Sequence, residues 1–395
     1  MKILVIAPTP FFSDRGTHIR ILEEAYALEG RGHEITLATY HIGKELPEDL
    51  HSKIDVRRIR RWLFWYKKLE AGPDWQKIIL DLLLIKKVFF LARTKRPEVI
   101  HAHLHEGVLI GWIVQKMLFW RKIKLVADFH GSLTKEMVSH AYLKQSLLQK
   151  LFRTVEVWID NMGDVAVASS WDNALEISAI RKEGEVTVLP DGTRLRMFEG
   201  LPSREVLRET YTVPEDKVVV TYTGALIPNK GIKLFLEAIP LLATKYTEVH
   251  FVVAGFPVDQ ITDYTSTEVF KKRVTIVSPL PYYDLPKVLR MSDIGVDPKD
   301  ASVRQASGKT LQYMGAGLPV AVFDTENNRE YLADGGTYAK EATAESLALA
   351  IGELIESSEL RQSRGRICRE RAEAFSWEHT AELAEGLYQT ILNKN

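Results

Sequence analysis

The chain has 395 residues, which is too long for one ordinary hydrophobic core and indicates about two to three domains. Apolar residues make up 46% of the chain and charged residues 26%, a balance that is typical of a globular protein and excludes a disordered one. The formal net charge is zero, with about +5 over residues 1–190 and about −5 over the remainder, which argues against general nucleic-acid binding.

The cysteine content and the lengths of the apolar runs bear on the cellular compartment of the protein. The single cysteine, Cys368, excludes an internal disulfide and a cysteine-based metal site, and it favours a reducing compartment. The first apolar run, Ile3 to Ala7, is too short for the core of a signal peptide. Because Asp81, Lys86 and Lys87 interrupt the longest apolar segment, the sequence predicts no membrane-spanning helix.

The N-terminal residues predict a β-α-β unit. The run from Lys2 to Ala7 predicts a buried strand, a helix opens at Gly16-Thr17 and reaches Gly30, and Glu34 to Ala38 predicts a second strand. A glycine at the strand-to-helix turn is where doubly wound folds bind phosphates or nucleotides. Gly16 stands alone, without the G-x-G-x-x-G pattern of dinucleotide sites, and a plain tight turn explains it equally well.

Two stretches combine basic and aromatic side chains. The stretch from Arg57 to Lys68 interleaves them, and Lys116 to Lys124 repeats the pattern. Such a combination suits an anionic membrane surface, because aromatic rings lie at the interface and cations bind headgroups. The alternative interpretation of the first stretch is a strand and loop with a solvated basic edge, and both interpretations stay open here.

The next elements bring polar residues to predicted strand ends. A helix from Trp75 to Arg93 precedes a strand from Glu98 to His103, where His101, His103 and His105 alternate toward one face. Three histidines at this spacing could bind a metal, but no fourth ligand is evident, and a strand end facing a ligand is favoured. After the strand Lys124 to Ala127, His130 either hydrogen-bonds a substrate or is an ordinary loop histidine.

The rest of the chain repeats this alternation of strands and helices. A strand from Asp164 to Ala168 and another from Thr187 to Leu189 end the first series at the turn Pro190-Asp191-Gly192. Further strands follow at residues 218–223, 249–254, 274–277, 293–296 and 320–323. Two separate series predict an α/β fold with two doubly wound domains that face each other.

The stretch from Ser307 to Val320 carries the strongest binding signal of the second series. Ser307 and Gly308 predict a loop that enters a helix, whose free N–H groups and dipole suit a phosphate. Lys309 would supply a mobile positive charge, and Gln312, one turn later, an amide that binds hydroxyls. The alternative interpretation is an ordinary amphipathic helix packed on a sheet.

Taken together, these motifs resemble the retaining glycosyltransferases of family 4 (glycosyl transferases group 1). The resemblance runs nearly from end to end, although no single piece is specific. Its residues are Gly16, Arg31-Gly32-His33-Glu34, Val99-Ile100-His101-Ala102-His103, Phe129-His130-Gly131, Gly224 to Gly231 with Lys230, Tyr313 to Val320, and Phe375-Ser376-Trp377.

This resemblance implies the GT-B fold, in which two Rossmann-like domains face each other across a cleft. The N-terminal, acceptor-side domain would be residues 1–192, with the final helix 378–395 packing back on it, and the domain that binds the nucleotide sugar would be residues 193–377. The implied activity is hexosyl transfer from a nucleotide-diphosphate sugar to a glycan or a lipid-linked acceptor, as in polysaccharide or glycolipid biosynthesis. The implied setting is cytoplasmic, including a peripheral position on the cytoplasmic membrane face, with no nucleic acid as partner.

The resemblance also implies roles for individual residues. His130 and Lys230 would be catalytic, His130 near the reacting carbon and Lys230 at the diphosphate, and acceptor-side candidates are His103 and Asp128. No metal or other cofactor is implied, and same-face attack lets the leaving phosphate take the acceptor proton, so no covalent nucleophile is required. The residues expected to bind the donor are Gly16, Thr17, Gly224, Lys230, Ser307, Gly308, Lys309 and Gln312.

Three positions depart from the family pattern. Arg304 and Gln312 stand where two acids are usual, and Ala225 stands where an arginine usually accompanies the phosphate lysine. Gln312 can do part of the ribose-binding task, and Asp297 or Asp300 could replace the first acid. The departures motivate an alternative function, a catalytically weakened GT-B protein that binds a sugar or a partner without transfer. A nicotinamide-dependent oxidoreductase is disfavoured, because neither half carries a full dinucleotide fingerprint.

Overall fold

A computed structural model describes residues 1–46, 50–69, 74–139, 145–182, 186–299 and 307–394. The chain divides into two compact units, of which the first comprises Met1–Asp191 with Trp377–Asn395 and the second Gly192–Ser376. Each unit is a parallel β-sheet with helices, and this confirms the predicted α/β fold with two doubly wound, Rossmann-like domains. Among the described residues, no helix has both the length and the apolar character that crossing a membrane requires.

The first unit is built on a seven-stranded parallel sheet with the order β3-β2-β1-β4-β5-β6-β7. Its central strands are buried along nearly their whole length, as expected for a parallel sheet covered on both faces, and β1 is an almost continuous apolar run. The strand order reverses between β1 and β4, which is the position where open α/β sheets bind ligands. The strands are β1 (Lys2–Ala7), β2 (Glu34–Thr39), β3 (Asp55–Arg58), β4 (Val99–His103), β5 (Lys124–Phe129), β6 (Val165–Ala168) and β7 (Val186–Val188).

The described helices of this unit mostly follow the strands one by one, although two consecutive helices lie between β5 and β6. The apolar faces of the helices pack on the sheet, as Leu80, Leu84, Val88 and Leu91 of the second helix do. The helices are α1 (Gly16–Gly30), α2 (Gln76–Lys95), α3 (Leu104–Met117), α4 (Leu133–Ser139), α5 (Ser146–Asp160) and α6 (Trp171–Ile180).

The second unit has a six-stranded parallel sheet with the order β10-β9-β8-β11-β12-β13. Its strand order reverses between β8 and β11, so a second candidate binding position lies at their carboxyl ends. The strands are β8 (Val218–Ala225), β9 (Val249–Phe256), β10 (Val274–Val277), β11 (Ile294–Asp297), β12 (Val320–Phe323) and β13 (Gly336–Ala339). The helices are α7 (Arg204–Thr210), α8 (Ile232–Lys245), α9 (Thr262–Thr265), α10 (Glu268–Arg273), α11 (Leu285–Arg290), α12 (Gly308–Gly315), α13 (Glu326–Leu332), α14 (Ala344–Glu356) and α15 (Ser358–Ala372).

The final helix, α16 (Trp377–Asn393), belongs to the first unit and packs against α1. Arg31, just after α1, donates a hydrogen bond to Glu385 of α16 at 2.6 Å, and the hydroxyl of Thr380 donates to the backbone oxygen of Pro190 at 2.9 Å. Helix α16 is therefore bonded both to the residue that follows α1 and to the end of the segment Met1–Asp191.

Candidate functional site

In the first unit, the carboxyl ends of β4 and β5 bring His103 and Asp128 together. The two residues are partners in the sheet register, and His103 Nδ1 lies 3.0 Å from Asp128 Oδ2. His101, two residues earlier on the same face of β4, stacks on the His103 ring with 4.5 Å between the ring centres. His103 thus ends a strand that borders the reversal point of the sheet, and Asp128 lies on the next strand.

His130 joins this group from the loop that follows β5. Its Nε2 lies 3.1 Å from His103 Nδ1 and 3.7 Å from Asp128 Oδ2. The Asp128 side chain is fully buried, whereas the His130 side chain is 10% exposed. His130 is consequently the member of the group that a ligand can reach.

Arg20 of α1 neutralises Asp128 from the other side. Its Nη2 lies 3.1 Å from Asp128 Oδ2, and its Nη1 donates to Asp191 Oδ1 at 2.6 Å. Burial alone would raise the pKa of Asp128, but Arg20, His130 and the bonds from His101 and His103 hold it well below its usual value. Asp128 therefore stays a carboxylate that orients the histidines around it.

Glu24 and Tyr388 complete the buried group around His101. Glu24, one helical turn after Arg20, places Oε1 3.4 Å from His101 Nδ1, and burial raises the pKa of this carboxyl. The hydroxyl of Tyr388, on α16, lies 2.5 Å from the same nitrogen. We use the name histidine–carboxylate network for the residues Arg20, Glu24, His101, His103, Asp128, His130 and Tyr388.

The structure corrects the expectation that three histidines share one face of a strand. His105 lies in the first turn of α3, so the alternation along β4 ends before it. Its ring packs on Phe129 at 5.0 Å, and its Nε2 lies 3.2 Å from Asp160 Oδ1. Helix α3 starts directly at the end of β4. Because the two-residue repeat of the strand ends there and the helical repeat begins, His105 points away from His101 and His103.

Two groups of described residues offer ligand atoms close enough to hold a metal ion. In the first, formed by Glu24, His101, His103 and Asp128, the Arg20 guanidinium already supplies a positive charge to the carboxylate. The second is His105, Glu156 and Asp160, in which Glu156 already accepts hydrogen bonds from Ser132 at 2.7 Å and from Thr134. The absence of a metal requirement stays a prediction.

Gly16 and Thr17 lie at the start of α1, as predicted. A Cβ atom added at Gly16 would meet no atom within 4 Å, so open space adjoins the turn. The backbone at Gly16 does not have a positive φ, and the glycine is therefore not required by the turn itself. Gly16 therefore leaves open space beside the turn, as Gly308 does at the start of α12.

In the second unit, a tight loop follows β8. Gly224 has a φ of +113°, and a short 3-10 helix, Pro228–Lys230, leads to Gly231 with a φ of +75°. A Cβ at Gly231 would lie 1.7 Å from the backbone oxygen of Pro298, so only glycine permits this approach of the loop to the end of β11. The half-buried Lys230 is thereby fixed at the reversal point of the second sheet.

The start of α12 lies beside this loop and is organised by Asp297, the last residue of β11. Lys309 Nζ lies 2.8 Å from Asp297 Oδ1, and the hydroxyls of Thr310, at 2.9 Å, and of Ser307 donate to Oδ2. Burial would raise the pKa of Asp297, but Lys309 and the Ser307 hydroxyl lower it to about 2. Lys309 Nζ also lies 4.2 Å from the centre of the Tyr222 ring. Lys309 is thus held in place, in contrast to the mobile charge that we expected.

Gln312 is buried on the next turn of α12. Its Oε1 accepts a hydrogen bond from the hydroxyl of Thr193 at 3.1 Å. Ala225, the last residue of β8, is half-buried, and its backbone oxygen accepts a hydrogen bond from Tyr222. Arg304 and Asp300 lie outside the described residues.

When the chain is compared with known proteins, both units match glycosyltransferase families. Residues 15–196 match the family Glycosyltransferase Family 4, and residues 217–357 match Glycosyl transferases group 1. The phosphatidyl-myo-inositol mannosyltransferase of Mycolicibacterium smegmatis is 22% identical, and the alignment covers 99% of this chain and 94% of that protein.

Solved structures share the fold over the whole chain. Sucrose-phosphate synthase from Thermosynechococcus elongatus superposes with a TM-score of 0.78 at 17% identity, covering 100% of both chains. Anabaena HepE in complex with UDP-glucose gives a TM-score of 0.75 at 19% identity, covering 98% of this chain and 100% of that one. The chain therefore belongs to glycosyltransferase family 4, with the GT-B fold, and is a glycosyltransferase of the group 1 type.

Proposed function

We propose that the protein is a retaining hexosyltransferase that moves a sugar from a nucleotide-diphosphate sugar to a glycan or a lipid-linked acceptor. The observation that carries this proposal is the pair of ligand-facing segments at the reversal point of the second sheet. The loop with Lys230 and the N-terminus of α12 follow the neighbouring strands β8 and β11, and Lys309 Nζ lies 3.5 Å from the backbone oxygen of Lys230. A nucleotide-sugar donor is also supported by HepE, which was solved with UDP-glucose.

The charges at this position suit a departing diphosphate. The ammonium of Lys230 and the backbone N–H groups at the start of α12 would stabilise the negative charge as the sugar–phosphate bond breaks. Lys309, paired with Asp297, orients the start of the helix more than it adds net charge. The leaving phosphate takes the acceptor proton, so the proposal needs no metal and no covalent nucleophile.

His130 would contact the donor sugar near the reacting carbon, while His103 and Asp128 lie on the acceptor side. His130 is the partly exposed end of the histidine–carboxylate network, and its ring is held by contacts to buried neighbours. A positioned imidazole can donate a hydrogen bond to a sugar hydroxyl and so orient the substrate. Gln312 would bind the ribose in place of the usual acid.

We further propose that the first unit contacts an anionic membrane that carries the acceptor. Helix α5 exposes an apolar stripe, Leu147, Leu151, Val155 and Trp158, along one face. Beyond α5, the first unit also exposes Trp62, Phe64, Trp65, Phe119 and Trp120, whereas the large exposed apolar residues described in the second unit are Val206, Leu241 and Leu349. Such an asymmetry favours an apolar or membrane surface as partner of the first unit.

The stretch from Arg57 to Lys68 contributes only part of the charge that we expected. Arg58 donates to the backbone oxygens of Phe11 and Lys44, and Arg57 pairs with Asp55 at 2.7 Å, both on the edge strand β3. Both arginines bind residues of the first unit itself. The positive charges that remain to bind lipid headgroups are those of the exposed side chains Arg60, Arg61 and Lys67.

A nucleotide-binding and transfer assay tests the proposed function. Thermal unfolding is followed with a panel of nucleoside diphosphates and nucleotide sugars, since a ligand of the folded state raises the melting temperature. The stabilising donor is then incubated with polyprenyl-phosphate-linked sugars in anionic vesicles, and nucleoside diphosphate release is measured. Release with the best donor supports transfer; binding without release or transfer would instead support the weakened GT-B alternative.

A further inference from the structure

The last helix of the chain contacts the histidine–carboxylate network through one hydroxyl group. Tyr388 is fully buried, and its hydroxyl lies 2.5 Å from His101 Nδ1. Its ring meets the His101 ring edge to face, with 5.8 Å between centres and an angle of 83°. Tyr388 is separated from His101 by 287 positions in the sequence, so only the docking of α16 on the first unit brings them together.

The contacts continue from His101 to His130 in short steps. His101 Nε2 lies 3.4 Å from Asp128 Oδ2, and the same oxygen lies 3.0 Å from His103 Nδ1. His103 Nδ1 in turn lies 3.1 Å from His130 Nε2. Because every side chain before His130 is buried, displacing one of them cannot be compensated by bulk water.

The burial and charges of this network make His103 a neutral imidazole. Burial and the nearby charge of His101 lower the pKa of His103 to about 3, so His103 is neutral at physiological pH. Its Nδ1 lies within reach of two neighbours, Asp128 Oδ2 at 3.0 Å and His130 Nε2 at 3.1 Å. The position of the His103 ring therefore decides how the His130 ring is oriented.

We infer that Tyr388 is a positioning residue for His130. Its hydroxyl holds the His101 ring, and through the contacts with Asp128 and His103 it sets the orientation of the His130 imidazole. The consequence for the reaction rests on the proposed function, in which His130 contacts the donor sugar. The consequence for the His130 ring itself does not depend on that function.

The experiment compares Tyr388→Phe with Tyr40→Phe in the full chain. Both tyrosines are buried in the first unit, and the Tyr40 hydroxyl donates to Asp81 at 2.6 Å, outside the network, so each variant loses one buried hydrogen bond. Imidazole nitrogen resonances are recorded in protein labelled with 15N-histidine, and the His130 signal is identified by its loss in His130→Asn. Initial rates over a range of donor concentrations give kcat and KM separately.

We expect Tyr388→Phe to shift the His130 resonances and to lower kcat by about threefold to a hundredfold with donor KM nearly unchanged, because small misplacements of a reacting group are costly. Tyr40→Phe should leave both measurements as in the wild type. Unchanged His130 resonances in Tyr388→Phe, or equal shifts in both variants, would overturn the inference.

Two complications, a variant that does not fold and a wild type that transfers no sugar, are met by further measurements. If Tyr388→Phe does not fold, Glu24→Gln is measured in its place, because Glu24 Oε1 lies 3.4 Å from the same His101 nitrogen and its loss should also shift the His130 signal. If the wild type transfers no sugar from any donor, the proposed function fails. The resonance comparison still decides the positioning role in that case.

Discussion

The Lys309 ammonium lies 2.8 Å from Asp297 Oδ1, in a pair that is almost completely buried at the start of α12. The pair joins the end of β11 to the first turn of the helix, and the ring of Tyr222 covers the ammonium. Removing one partner of a buried pair leaves an uncompensated charge, which typically costs about 3–5 kcal/mol. The start of α12 therefore depends on a charge pair that also lies beside the proposed diphosphate position.

Asp297→Asn should lower the free energy of unfolding, and the loss should depend on pH. The pKa of Asp297 is lowered from 3.8 to about 2, so the ionised carboxylate contributes stability above pH 3.8 that is lost as the pH falls through about 2. The shift corresponds to about 2 kcal/mol. Denaturant unfolding of both proteins from pH 7 to pH 2.5 should show a difference that narrows below about pH 4. A difference independent of pH would mean that the Asp297 charge does not stabilise the fold.

Lys230→Ala should slow transfer far more than it affects folding. Loss of one oriented donor to a developing charge typically costs about 3–4 kcal/mol of barrier, or roughly a hundredfold or more in kcat. Lys272→Ala is the matched control, since Lys272 lies on α10 with its side chain 75% exposed. Steady-state kinetics measure kcat for both variants. A kcat for Lys230→Ala near that of the wild type would show that Lys230 does not stabilise the departing diphosphate.

Substitutions of Gln312 test its proposed contact with the ribose. Gln312→Leu should weaken donor binding, because a ribose hydroxyl left without its partner costs about 1–3 kcal/mol. Gln312→Glu should retain or improve the affinity, since the carboxylate can accept from Thr193 and from the ribose alike. Calorimetric titration with the stabilising nucleotide measures the affinity. Equal affinities of Gln312→Leu and the wild type for the nucleotide would show that Gln312 does not bind the ribose and only contacts Thr193.

The membrane proposal predicts that α5 is needed for vesicle binding. A double change, Leu147→Ser with Leu151→Ser, should reduce sedimentation with anionic vesicles, because it removes two exposed apolar contacts from the stripe. Leu349→Ser, at a position 70% exposed on α14 of the second unit, is the control and should bind normally. High salt should weaken binding wherever basic side chains contribute. Equal sedimentation of all three proteins with anionic vesicles would contradict a membrane contact through α5.

Sequence patterns were sufficient for most of the fold. Continuous apolar runs such as Ile3 to Ala7 and Val320 to Phe323 predicted buried strands, and the structure places strands over both. Strand β13, Gly336–Ala339, was not predicted, because three of its four residues are small or polar and leave no apolar run. Strand β3, Asp55–Arg58, is a short charged edge strand, and its sequence could equally be read as part of a membrane-binding stretch.

The candidate site was predicted less completely, for a physical reason. His103, Asp128 and His130 are close in sequence to strand ends, where position alone suggests a role. Arg20, Glu24 and Tyr388 carry no local signal, because a helical pattern assigns charged residues to the exposed face and an aromatic residue to an ordinary core position. Arg20 contacts Asp191, 171 positions away, and such pairs follow from the packing of α1 and α16 on the sheet. No pattern within a single element encodes them.

The most direct test of the central claim is the stereochemistry and yield of a transfer reaction. The protein is incubated with the nucleotide-diphosphate sugar that stabilises it and with a sugar acceptor, and proton NMR follows the anomeric signals of donor and product. The proposal predicts release of one nucleoside diphosphate per product and the same anomeric configuration in product and donor. An inverted product would contradict the retaining mechanism, and a donor that binds but is never consumed would contradict transfer itself.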